Sequence, residues 1–83
     1  MPKAKQTFQT LDLYLAAFLS LSGTPPVLES KNTRVVFSFP ANVDLYRLIS
    51  NFNENVSVPV AQYAMAVKAL RGQMITMREG GAR

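Results

Sequence analysis

The side chains in this sequence best suited to a chemical task are three cations, Lys68, Arg71 and Arg78. Their spacing puts them on one side of a single helix, next to Ile75. A row of cationic heads of this kind is what tracking a phosphate backbone requires, and Gln73 or Thr76 could add hydrogen bonds. The same pattern also arises when ordinary solvated charges flank a buried helix face. The segment offers no helix-turn-helix signature with Asn, Gln and Arg at base-reading positions. Lys31 and Arg34 form a second basic spot, with Lys3 and Lys5 as further candidates to join it, and could set a β-ribbon against a nucleic acid. A lysine at a hairpin tip also serves solubility and protects a sheet edge.

Acid–base, nucleophilic and metal chemistry lack their usual parts. The chain has no histidine and no cysteine, which removes the commonest general base, the commonest metal ligand and any disulfide or thiolate site. The carboxylates are scattered: Asp12 and Asp44 read as helix-start acids, while Glu29, Glu54 and Glu79 fall in a strand, a helix end and a tail. The glycines form no phosphate-cradling loop. The sequence therefore reads as a non-enzymatic binding protein with no cofactor, no metal and no small-molecule substrate. Phe37 and Phe39 share one face of a strand, as on a base-stacking platform, but the same face is what helices need to cover. The four methionines, Met1, Met65, Met74 and Met77, either fill a core or form an adaptable interface near the C-terminus.

At 83 residues, with 48% hydrophobic and 17% charged side chains, the chain has the composition of one folded domain near the lower size limit for a self-sufficient core. Nine Lys and Arg against five Asp and Glu give a net charge of +4, which favours polyanionic partners. So few charges on so small a protein leave apolar surface for a partner or a symmetric dimer. The absence of cysteine permits a reducing compartment, and a cytoplasmic location is expected.

The strongest strand signal is Arg34–Phe39, with Val35, Phe37 and Phe39 on one side of the pleat and Arg34, Val36 and Ser38 on the other. Residues 1–9 are polar and read as a flexible arm. Thr10 is the expected N-cap of a helix, apolar nearly all round, that Gly23 and Pro25-Pro26 terminate. That helix is too short to span a bilayer. As a secretory signal it would follow Lys3 and Lys5 and end in small residues, but Asp12 interrupts the run and its removal would leave a thin core.

Val27–Glu29 forms a short strand paired with Arg34–Phe39 across the turn Ser30–Thr33; a four-residue loop would set Glu29 opposite Arg34. Asn42 caps a second helix whose Leu45, Leu48, Ile49 and Phe52 make a regular apolar stripe. Ser57 and Pro59 open a third helix, with Val60, Tyr63, Val67, Leu70, Met74 and Met77 on one face. Gly72 leaves residues 73–77 open to two readings, a continued helix or a further strand. The domain then spans residues 10–78, and 79–83 form a flexible tail.

Asp12-Leu13-Tyr14-Leu15-Ala16-Ala17-Phe18-Leu19 up to Gly23, followed by Arg34-Val35-Val36-Phe37-Ser38-Phe39, resembles a small bacterial family of domains of unknown function. The resemblance implies an independently folding domain from a bacterial or phage source and carries no activity. The expected fold is α+β in the order α-β-β-α-α, a hairpin under helices whose sheet is extended by dimerisation. Two functions remain open. One is nucleic-acid (DNA) binding through Lys68, Arg71 and Arg78 with Lys31 and Arg34, and the other is a protein-interaction or accessory role. A homodimer is expected under either, and no membrane partner.

Overall fold

The computed structural model describes residues 6–81. Its elements run β1 (Thr7–Thr10), α1 (Leu13–Leu21), β2 (Val27–Lys31), β3 (Arg34–Pro40), α2 (Val43–Asn53) and α3 (Val60–Gly81). The strands form one antiparallel sheet in the order β1-β3-β2. The domain is thus α+β, with one strand in front of the expected order. Residues 1–5 of the expected arm, including Lys3 and Lys5, and residues 82–83 of the expected tail lie outside the described residues.

β3 is the central strand because its alternation suits a sheet covered on one side. Val35, Phe37 and Phe39 are buried toward the helices. They share a core with Leu15, Ala16, Ala17, Phe18 and Leu19 of α1, Leu45 of α2 and Val67 and Leu70 of α3. α1 packs against both α2 and α3. Leu15–Leu19 are therefore buried within the chain, while Leu13 and Leu21 are half-buried and Tyr14 is exposed.

The hairpin is extended by the chain's own β1, in a segment expected to be a flexible arm. Phe8 lies opposite Phe39 on the core face, with ring centroids 6.5 Å apart, and its ring meets Tyr46 of α2 edge-on at 6.3 Å. Thr10 is consumed by this strand, opposite Phe37. The helix consequently starts later than expected. Asp12, extended at φ −80°, caps α1 by accepting from the N–H groups of Tyr14 (3.0 Å) and Leu15 (3.2 Å), while the Thr10 hydroxyl accepts from Asp12 N–H.

At the far end of α1 Gly23 adopts φ +103°, and Thr24 N–H reaches back to Leu19 O at 2.9 Å, the terminating geometry expected of glycine here. Asn42 caps α2 as expected, its Oδ1 accepting from Leu45 N–H at 2.7 Å. α3 begins at Val60 rather than at Ser57, with Tyr63 N–H donating to Pro59 O.

The β2–β3 hairpin has a tighter turn than the four-residue loop expected. Lys31 lies opposite Arg34, leaving only Asn32 and Thr33 in the loop, and Asn32 takes φ 58°, a region asparagine tolerates. Glu29 is then opposite Val36, not Arg34. On this back face of the sheet Lys31 Nζ donates to Gln9 Oε1 (2.8 Å) and Gln9 Nε2 donates to Glu29 Oε1 (3.1 Å). The polar strap crosses the sheet over half-buried Val36.

α1 and α3 are also joined by the Tyr63 hydroxyl, which donates to Tyr14 O at 2.9 Å. Burial raises the Tyr63 pKa above 10.0, with smaller contributions from the Asp12 charge and Tyr14. The fold thus favours the neutral phenol, and this stabilisation is complete below pH 10, then lost as pH rises through the folded pKa. Urea denaturation of wild type and Tyr63→Phe should show wild type more stable at pH 8, with the gap closing by pH 11. Truncating the central core residue is a harsher change. Phe37→Ala should cost about 3–5 kcal/mol by the same measurement.

Candidate nucleic-acid interface

α3 continues as one helix of 22 residues through Gly72, so residues 73–77 are helical and Glu79 belongs to the helix instead of a tail. The continuation follows from the apolar stripe: Val67 and Leu70 are buried, and Met74 packs on the same core one turn further. A Cβ added at Gly72 would meet nothing within 4 Å, which places this residue on the open side of the helix.

At 100° per residue Lys68, Arg71, Ile75 and Arg78 fall within an arc of about 80°. All four are exposed. Arg78 sits in the last turn, where its charge also suits the negative end of the helix dipole. Among the described residues the one ion pair joins Arg47 to Asp44 at 3.8 Å on α2, so no carboxylate there neutralises Lys68, Arg71 or Arg78.

The five cations of the sequence reading do not form one surface. Lys31 and Arg34 meet as cross-strand partners at the hairpin end, next to Asn32 and Asp12 around a shallow concavity. Alternation from buried Val35 turns Arg34 and Lys31 to the back of the sheet, whereas α3 covers the front. Lys31 is moreover held by Gln9.

The carboxylates have local structural work. Asp12 caps α1, Asp44 lies in the first turn of α2, and Glu29 accepts from Gln9. Among the described residues no three His, Cys, Asp or Glu side chains come together as a metal site. No helix among them is long and apolar enough to cross a membrane.

Sequence reasoning did not find a groove of about 800 Å³ between the β2 edge and α3, lined by Pro26, Leu28, Ala69, Gly72, Gln73, Thr76 and Met77. Its walls are some 40 residues apart in the chain, so no local pattern marks it. The small side chains at 69, 72 and 76, on one flank of the helix, were the available signal.

Residues 5–76 match the family model described as a domain of unknown function, DUF5659. The chain belongs to this family. The matched span includes β1 and continues through Gly72 of α3, so the DUF5659 unit takes in both the first strand and the basic part of the helix as far as Thr76. Arg78 lies beyond it. No curated protein and no solved structure matches the chain. The family description names no activity.

Helix continuity at Gly72 fixes where Arg78 stands relative to Lys68 and Arg71. Gly72→Ala should raise stability by up to about 1 kcal/mol in thermal unfolding, since a methyl group there meets open space.

Proposed function

We propose that the protein is a non-enzymatic nucleic-acid-binding domain that engages phosphates through Lys68, Arg71 and Arg78. One observation carries the reading: three exposed cations along one flank of a continuous helix, free of carboxylate partners among the described residues. The row from Lys68 to Arg78 extends about 15 Å along the axis, enough to follow several successive phosphates of one strand. Guanidinium groups supply two of the three contacts and present paired donors to phosphate oxygens.

The α3 flank shows no array of amide side chains aimed outward for base edges, so binding is directed at the backbone and indifferent to sequence. Lys31 and Arg34 lie on the other face of the sheet and take no part in the same contact.

A second reading, a protein-interaction or accessory subunit, draws support from the groove beside β2 and from exposed apolar residues such as Met65 and Val27. The two readings are compatible, since none of the three cations lines the groove.

Mobility shifts with mixed DNA and RNA test the first reading. With three phosphates neutralised, binding to duplex should weaken roughly fortyfold between 50 and 200 mM salt. Charge reversal in Arg71→Glu with Arg78→Glu should abolish the shift while circular dichroism stays native. No shift at low salt, or one that survives the reversal, would rule it out.

A further inference from the structure

β2 is an open edge, because the sheet order leaves one of its sides unpaired. With a two-residue loop the closing pair, Lys31 and Arg34, is of the hydrogen-bonded kind. Alternation along the strand then turns the peptide groups of Leu28 and Ser30 outward, toward the groove side. An unpaired edge beside an apolar groove calls for an added strand.

The side chains of β2 say which strand. Antiparallel pairing of β2 with a second β2 about a two-fold axis at Ser30 places Glu29 of each copy opposite Lys31 of the other. Centring the axis on Glu29 would oppose like charges, and centring it on Leu28 would oppose Glu29 to Val27. The tripeptide Glu29-Ser30-Lys31 is thus charge-complementary to itself in one register.

In that register Ser30 meets Ser30 with its outward peptide groups, and Asn32 in the second copy's turn comes opposite Leu28, beside the groove that Leu28 lines with Ala69, Gly72 and Thr76. No charged residue lines that groove.

We propose that this edge is a self-association surface: two copies of the chain join their β2 strands about Ser30, with reciprocal Glu29–Lys31 pairs, and merge two three-stranded sheets into one. Glu29 and Lys31 are exposed or half-buried, and the Gln9 strap leaves each with hydrogen-bonding capacity for the second copy. The inference does not depend on polyanion binding, as Lys68, Arg71 and Arg78 stay clear of the join.

Sedimentation equilibrium on the full chain decides it. Wild type should show twice the chain's mass. Ser30→Pro removes an outward N–H that the monomer does not use, so the mass should fall twofold with circular dichroism unchanged. Lys31→Glu alone and Glu29→Lys alone should each be monomeric, and an equimolar mixture of the two should recover the doubled mass, because each opposed pair is then of opposite charge. A monomeric wild type overturns the proposal and leaves the edge to an extended peptide of another protein. A dimer indifferent to Ser30→Pro, or a charge-variant mixture that stays monomeric, overturns it as well.

Discussion

A sheet that is apolar on one face and polar on the other must be covered once, and this fold depends on how Phe37 and Phe39 are covered. Both rings are essentially removed from water beneath the helices. At about 25 cal/mol per Å² of buried apolar surface, such side chains outweigh anything the polar surface contributes. α1 makes the arrangement possible. Ala16 and Ala17 are fully buried, and side chains that small let α2 and α3 close in on either side of α1.

The back of the sheet follows another logic. Val36 is too small and too isolated to seed a second layer, and the Lys31–Gln9–Glu29 strap shields it at the cost of two exposed hydrogen bonds. Such bonds are individually weak. They link β1 to β2 across β3, however, and so help to hold Glu29 and Lys31 on one face of the strand at the open edge.

α3 serves three surroundings at once. Val67, Leu70 and Met74 meet the core, Ala69, Gly72 and Thr76 form one wall of the groove, and Lys68, Arg71 and Arg78 stand in water. A helix with more than one apolar flank and a short cationic one has no single hydrophobic direction. Its core face alone was enough to read the helix, and the groove flank acquires meaning only beside β2.

By itself the sequence determined the features whose causes are local. The alternation of Val35, Phe37 and Phe39, the stop at Gly23 with Pro25 and Pro26, the Asn42 cap and the α2 stripe of Leu45, Leu48, Ile49 and Phe52 were legible because neighbouring residues supply both signal and reason. Tertiary structure decided what depends on distant partners. Thr7–Thr10 is too polar to declare a strand, and becomes one because Phe8 finds Phe39 and Tyr46. That pairing takes Thr10 and hands the cap of α1 to Asp12. Gly72 leaves the helix-or-strand choice locally balanced, and packing of the residues on either side settles it as helix. Alternation already put Arg34 opposite the Phe37 face; only the fold, finally, pairs Lys31 with Arg34 and seats α3 over the Phe37 face, so that Lys68, Arg71 and Arg78 stand apart from them, because strand register and helix docking depend on partners far away in the chain.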